Sequence, residues 1–146
     1  MSEERSGIAI SPGFSVGNAL LINQAKTIVE RRKIKPSQIV KEINRFQSAV
    51  EVSKNEIRRM KLNIDNEYKI EHIEILDFNI LILEDEILAT EVIELISKKQ
   101  INAEWALNDV LTNKSKEFTF VKDLYMQERL ADFYYIAERI TKNLRG

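Results

Sequence analysis

The stretch PSQIVKEINRFQSAVEVSKNEIRRMKLNI, residues 36–64, sets the fold class of this chain of 146 residues. Apolar side chains recur in alternating steps of four and three, and Ser53 fills the one polar position of the series: Ile39, Ile43, Phe46, Val50, Ile57, Met60 and Ile64. Pro36 followed by Ser37 is a typical helix start, where the serine oxygen can accept a hydrogen bond from a free amide. The spacing predicts one helix of about thirty residues, roughly 40 Å long, with a narrow coiled-coil-like seam.

The second helical region starts near Glu71 and breaks in its middle. Its stretch from Ile75 to Leu83 is apolar nearly all round, and the acidic triplet of residues 84–86 follows directly. Carboxylates are favourable at the positive amino-terminal end of a helix, so the triplet suits the first turn of a fresh helix. We therefore expect this helix to be kinked or broken near Leu83–Asp85, although no glycine or proline in residues 37–145 would enforce the break.

Two further helices complete the body of the chain. The third begins after Asn102, a good capping residue, and the fourth covers the carboxyl-terminal part. Their apolar positions are Leu107, Val110, Leu111 and Phe118 on the third helix, and Met126, Leu130, Phe133, Ala137, Ile140 and Leu144 on the fourth. Short connections near residues 98–102 and 119–123 favour antiparallel neighbours. The sequence thus predicts a mainly α fold of four helices in two packed hairpins.

The first 22 residues have a different character. Ile8–Ile10 and Ala19–Ile22 are short apolar runs, and Pro12, Gly13 and Gly17 lie between them. Such residues supply the bend between two strands. A short β-hairpin-like segment is therefore expected ahead of the helices, and its strand edges find no evident partner later in the sequence.

Composition excludes several classes of function. Lys and Arg number 22 and Asp and Glu number 23, so no net field attracts nucleic acid or an anionic membrane. The chain has no cysteine, which rules out disulfides, thiol chemistry and a cysteine-based zinc site. The amino terminus lacks the pattern of a secretory signal, and the longest apolar run, Ile80–Leu83, is too short to cross a bilayer. We expect a soluble cytoplasmic protein that binds neither nucleic acid nor membranes.

The sequence offers little for catalysis. His72 is the only histidine, and no metal ligand stands three or four positions from it, so we interpret it as a surface histidine. The acidic triplet of residues 84–86 reads as a solvated helix start, with an acidic rim for a basic partner as the alternative. The glycines at 13 and 17 match neither a dinucleotide fingerprint nor a P-loop. No catalytic, cofactor-binding or metal-binding residue is predicted in this chain.

Four segments carry a resemblance to a known family: GIAISPGFSVGNALL (7–21), ILILEDEIL (80–88), LYMQERLADFYYIAERI (124–140) and NLRG (143–146). From Gly7 to Gly146 the chain resembles enzyme I of the phosphoenolpyruvate-dependent sugar phosphotransferase system. The resemblance implies an amino-terminal fragment with two parts. Residues 1–23 are expected to be strands of an incomplete α/β phosphohistidine subdomain, and residues 24–146 the helical domain that binds the phosphocarrier protein HPr.

In that family, phosphoenolpyruvate phosphorylates a histidine of enzyme I, which passes the phosphoryl group to a histidine of HPr. The resemblance places this histidine, the phosphoenolpyruvate site and the Mg²⁺ site in parts of the parent that this chain lacks. The fragment is therefore expected to be inactive and to hold no cofactor. It further implies a parent that dimerises through its absent carboxyl-terminal domain, and we expect the fragment to self-associate through residues 8–22.

The resemblance also implies positions that contact HPr. They are Glu71, Ile75, Leu81, Ile82, Asp85, Leu88, Phe118, Met126 and Arg129. The alternative for Leu81, Ile82, Leu88 and Met126 is an ordinary place in the bundle core. Three departures from the family pattern, Asn79, Ile87 and Tyr135, predict a less polar surface than in close relatives.

Two other functions stay open at this stage. One is a structural helical bundle that assembles through the seam from Ile39 to Ile64. The other is the equivalent domain of a regulatory or other phosphoenolpyruvate-utilising enzyme.

Overall fold

The computed structural model describes residues 13, 14, 16, 29–64, 69–119 and 124–146, without the side chains of residues 69–71, 117–119 and 124–129. Five α-helices occur in these residues after a single 3-10 turn at Pro36–Gln38: α1 Ile39–Leu62, α2 Lys69–Leu83, α3 Glu86–Lys99, α4 Ala103–Thr119 and α5 Leu124–Arg145. The described residues contain no strand, and the mainly α prediction is confirmed.

The predicted β-hairpin between Ile8 and Ile22 lies almost wholly outside the described residues. Within that segment Gly13 has φ of +131°, a backbone conformation that favours glycine. The hairpin itself stays a prediction.

The helices pack as two antiparallel hairpins. Helix α1 contacts α2 and α5, while α4 contacts α3 and α5, the two helices that the short connections join to it. Helix α3 also contacts α1, and α2 contacts α5, so the two hairpins pack against each other. The core is therefore shared by all five helices of the described chain.

Helix α1 packs into the bundle through the apolar seam that the sequence predicts. Phe46 and Ile57 are fully buried, and Ser53, the polar interruption, is buried as well. The Ser53 hydroxyl donates to the carbonyl oxygen of Ala49 at 2.8 Å and accepts from Asn143 Nδ2 at 2.9 Å. A serine fits this seam because its polar atoms find partners inside the bundle.

The start of α1 differs from the prediction. Ser37 lies inside the 3-10 turn, and no side chain caps α1. Instead, the Lys35 amide ahead of the turn donates to Gln38 Oε1 at 2.8 Å. The expected serine cap is wrong because the turn begins one residue earlier, at Pro36.

The predicted break in the second helix is confirmed and is complete. Asp85 has extended backbone dihedrals, φ −66° and ψ 106°, which separate the end of α2 from the start of α3. Its Oδ1 accepts hydrogen bonds from the amides of Ile87 at 2.8 Å and Leu88 at 3.2 Å. A single carboxylate thus satisfies two free amides of the new helix, and four predicted helices become five.

The connection between α3 and α4 forms hydrogen bonds with the segment that precedes α1. Ile34 donates its amide to the Gln100 carbonyl, and Asn102 exchanges two hydrogen bonds of 3.0 Å with the backbone of Arg32. Asn102 was predicted to cap α4, but its Oδ1 accepts from Arg32 instead. The first amide of α4, at Ala103, is satisfied by Glu42 Oε1 at 2.8 Å.

The core consists mainly of the apolar positions that the periodicity indicated. On α4 and α5, Leu107, Val110, Leu111, Ala137, Ile140 and Leu144 are buried as predicted. The largest fully buried apolar side chains are Phe46, Ile57, Ile96, Ile101, Leu107, Ile136 and Ile140. The α1 seam therefore packs against the other helices of the bundle through Phe46 and Ile57.

Candidate docking site

An acidic stripe with one leucine runs along the outer face of α2. It consists of Glu74, Asp77, Leu81 and Glu84, whose spacing of three, four and three places them on one side of a helix. The Glu84 amide still donates to the Ile80 carbonyl at 2.9 Å, so helical hydrogen bonding reaches the end of the stripe. Leu81 is 63% exposed between these acids. We call these four residues the acidic stripe.

Two cations of α1 bind the acidic stripe on either side of Leu81. Lys61 Nζ lies 2.5 Å from Asp77 Oδ1, and Arg58 Nη2 lies 3.1 Å from Glu84 Oε1. Sequence reasoning missed both pairs, because the partners are on different helices and periodicity identifies apolar faces only. Each pair is partly open to solvent, which keeps its contribution to stability small, at about 0–1 kcal/mol.

The α2–α3 junction continues the site beyond the stripe. Asp85 is half-buried and is fixed in direction by its two amide donors. Glu84 and Glu86 on either side of it are exposed, and Ile87 is 67% exposed. The acidic triplet thus starts α3, as predicted, and an acidic rim for a basic partner stays a prediction.

The predicted contact residues fall into three groups. Ile75 and Leu81 are exposed on α2, at 54% and 63%. Ile82 and Leu88, in contrast, are buried in the core, which is the alternative place that the sequence left open for them. Both side chains belong to the hydrophobic core, to which α2 and α3 contribute their buried sides. Glu71, Phe118, Met126 and Arg129 lie on α2, α4 and α5, with side chains outside the described part of the chain.

The three departures from the family pattern have different surroundings. Ile87 and Tyr135 are exposed, in agreement with a less polar surface. Asn79 is only 3% exposed, so it does not change the surface as predicted, and its Oδ1 has no hydrogen-bond partner among the residues that the structure describes. The Tyr135 hydroxyl accepts from Arg139 Nη2 at 2.6 Å.

Arg139 joins α5 to α1. Its Nη1 donates to Glu56 Oε2 at 2.7 Å. Burial alone would raise the pKa of Glu56, but hydrogen bonds from Asn143 and Arg139 outweigh it and leave that pKa below its ordinary value. Burial alone would lower the pKa of Arg139, and its hydrogen bonds to Tyr135 and Glu56 raise it instead.

The described residues offer an exposed surface for binding. His72 is exposed, as predicted. In residues 29–64, 69–119 and 124–146, no group of three or more histidine, aspartate or glutamate side chains could hold a metal ion. None of the described helices is both long and apolar enough to cross a membrane. An exposed leucine among carboxylates is a surface on which a partner with apolar and basic side chains can bind.

Comparisons with known proteins identify the family. A family model described as "PEP-utilising enzyme, N-terminal" matches residues 6–129. Phosphoenolpyruvate-protein phosphotransferase from Haemophilus influenzae is 33% identical over 144 residues, 97% of this chain and 24% of that protein. The proteins of the same name from Buchnera aphidicola and Bacillus subtilis are 32% and 31% identical, over 95% and 99% of this chain and 24% and 25% of their own.

The chain thus spans about a quarter of the length of these curated relatives. A solution structure of an Enzyme I protein (nEIt) superposes with a TM-score of 0.77 at 29% identity, over 83% of this chain and 49% of that one. The chain belongs to the family of amino-terminal regions of PEP-utilising enzymes.

Proposed function

We propose that this chain is the amino-terminal part of an enzyme I, a phosphoenolpyruvate-protein phosphotransferase, and that its helices dock the phosphocarrier protein HPr. The family match, the names of the relatives and the likeness to an Enzyme I structure support the proposal. Because the chain spans about a quarter of those relatives, the phosphoryl transfer itself belongs to a longer protein.

The proposal divides the chain in two. Residues 1–23 contribute strands, including the predicted hairpin, to an α/β phosphohistidine subdomain, and residues 24–146 form the HPr-binding domain. The active histidine, the phosphoenolpyruvate site and the Mg²⁺ site belong to other parts of the parent enzyme, which acts in the cytoplasm as a homodimer through its carboxyl-terminal domain. The fragment alone is inactive under this proposal and self-associates through residues 8–22.

We define the docking face as Ile75, Leu81 and Asp85 together with the carried-over positions Glu71, Phe118, Met126 and Arg129. The observation that carries the proposal is the 63% exposure of Leu81 between Asp77 and Glu84. Ile82 and Leu88 support this face from the core. Packing of α2 against α5 favours a face that both helices share.

The chemistry of the docking face fits a transient partner. Exposed apolar side chains contribute non-directional hydrophobic contacts. The surrounding carboxylates select a carrier with basic residues around its histidine. A carrier has to leave after each transfer. An affinity in the micromolar range, roughly 8 kcal/mol, suits this cycle, and a few apolar contacts with a charged rim provide it.

Isothermal titration of the chain with HPr tests the proposal. Leu81→Glu is expected to abolish binding, because it buries a charge where an apolar contact is needed, and Met126→Glu is expected to do the same. Leu62→Glu is the matched control, since Leu62 is 84% exposed on α1 and lies outside the docking face. Circular dichroism checks that the variants stay helical. Unchanged binding by both test variants would refute the docking face.

The structure weakens the first alternative function. Assembly through the seam from Ile39 to Ile64 needs that seam to be accessible, yet Phe46 and Ile57 are buried within the chain. Sedimentation of wild type and Ile43→Lys provides a direct check, with no oligomer expected from the seam. The second alternative, the equivalent domain of a regulatory or other PEP-utilising enzyme, predicts no affinity for HPr in the same titration.

A further inference from the structure

Arg58 forms an ion pair with a carboxylate of the acidic stripe. It lies on α1 and pairs with Glu84 at the end of the acidic stripe. Asp77, about two helical turns before Glu84, forms an ion pair with Lys61. The free protein therefore neutralises, with its own side chains, the carboxylates that flank the exposed Leu81. A carrier that docks there meets carboxylates that have a cation beside them.

We propose that Arg58 is a built-in competitor of the carrier, which occupies Glu84 in the free protein and yields it to a basic side chain of the docked partner. The inference rests on the proposed function, because it assigns a regulatory contact to the same face. It differs from the family resemblance, which gave no role to any residue of α1.

The geometry around Arg58 makes the exchange easy. Only Nη2 is engaged with Glu84, at 3.1 Å, while Nη1 donates to Asn55 Oδ1 at 3.3 Å and Glu51 Oε1 at 3.5 Å on its own helix. When Glu84 changes partner, the guanidinium keeps its two contacts on α1. The side chains of Arg58 and Glu84 are each 45% exposed, so solvent screens the pair and only a weak interaction is lost.

The competition has a consequence for partner choice. A partner gains binding free energy from Glu84 only if its own cation reaches the carboxylate and displaces Arg58. A purely apolar partner surface gains no binding free energy from Glu84. The exchange also subtracts the weak Arg58–Glu84 interaction from the docking free energy. Both effects favour a selective carrier that leaves readily.

Arg58→Gln tests the inference in titrations with HPr. Loss of the competitor is expected to tighten binding by about two- to fivefold at low salt, the range that an exposed ion pair allows. The gain is expected to shrink at high salt, because exposed charges are then screened. Arg59→Gln is the matched control: Arg59 is exposed on the same helix and forms no ion pair with any residue that the structure describes, and its substitution changes the net charge equally.

A double-mutant cycle separates local competition from general charge. In a Glu84→Gln background, Arg58→Gln is expected to tighten HPr binding no more than Arg59→Gln does. Equal effects of the two arginine substitutions in the wild-type background, or a specific gain that survives Glu84→Gln, would overturn the competitor role and leave HPr docking intact. Absence of any HPr binding by the wild-type chain would overturn the proposed function, and the competitor role with it.

Discussion

Arg45 and Glu104 form a two-pronged ion pair between α1 and the first turn of α4, with Nη1 2.9 Å from Oε1 and Nη2 2.6 Å from Oε2. The same guanidinium donates to Glu42 Oε1 at 2.5 Å and to the Leu144 carbonyl at 2.8 Å. Burial would lower the pKa of Arg45, but the hydrogen bonds to Glu104 and Glu42 raise it above its ordinary range. One arginine therefore joins α1, α4 and the end of α5.

Substitution of this arginine is expected to cost more stability than that of any exposed cation on α1. Arg45→Met leaves the buried carboxylates of Glu42 and Glu104 without their cation, which should lower the free energy of unfolding by about 2–3 kcal/mol. Urea unfolding followed by circular dichroism measures the change. Lys41→Met, at an exposed position of the same helix, should change it by less than about 0.5 kcal/mol. A loss below about 1 kcal/mol for Arg45→Met would show that solvent already screens this cluster.

Acid should destabilise the fold through Glu42 and Glu56. Burial raises the pKa of each, but hydrogen bonds from Arg45 to Glu42, and from Asn143 and Arg139 to Glu56, leave both below the ordinary value of 4.5. A pKa lowered by folding means that the stabilisation is complete above pH 4.5 and is lost as the pH falls through the folded-state pKa. Urea unfolding from neutral pH down to about pH 3 should show this loss, and Glu42→Gln should show less of it. Identical pH profiles for the two proteins would contradict the assignment to Glu42.

The order of the helices and the position of the break could be predicted from the sequence, for identifiable reasons. The apolar positions of the seam through Phe46 and Ile57 repeat at helical spacing from Ile39 to Ile64, which is the pattern of an amphipathic helix. The acidic triplet around Asp85 marked a helix start where no glycine or proline did. Both signals are local, so a single sequence contains them.

The inward or outward direction of neighbouring apolar residues could not be predicted. Leu81 and Ile82 lie in a run that is apolar nearly all round, and such a run has no preferred face. The structure exposes the first and buries the second because Ile82 points toward the other helices. Pairs such as Arg58 with Glu84 are 26 positions apart and were missed for a related reason, since spacing within one helix says nothing about partners on another.

Asn79 is a position where a substitution should stabilise the protein. Its Oδ1 is buried without a hydrogen-bond partner in the described part of the chain, and Leu has the same branched shape and no polar atom to bury. Asn79→Leu is therefore expected to raise the free energy of unfolding by about 1–2 kcal/mol. Asn143→Leu gives the contrast, because it removes hydrogen bonds to Ser53 at 2.9 Å and Glu56 at 3.2 Å and should destabilise. Thermal unfolding measures both variants, and a neutral or destabilising Asn79→Leu would mean that the amide has a partner such as a water molecule.

Asp85 combines a structural role with a proposed docking role, and two substitutions separate them. Asp85→Ala removes the acceptor of the Ile87 and Leu88 amides and should cost about 1 kcal/mol of stability. Asp85→Asn keeps an oxygen that caps the helix equally well, so its stability should stay within a few tenths of a kcal/mol of wild type. The same Asn variant lacks the negative charge and should bind HPr several-fold more weakly at low salt, with the difference reduced at high salt. Suppose that Asp85→Asn bound HPr as tightly as wild type while Asp85→Ala bound it weakly. Asp85 would then affect binding only by capping α3, and it would no longer count as a residue of the docking face.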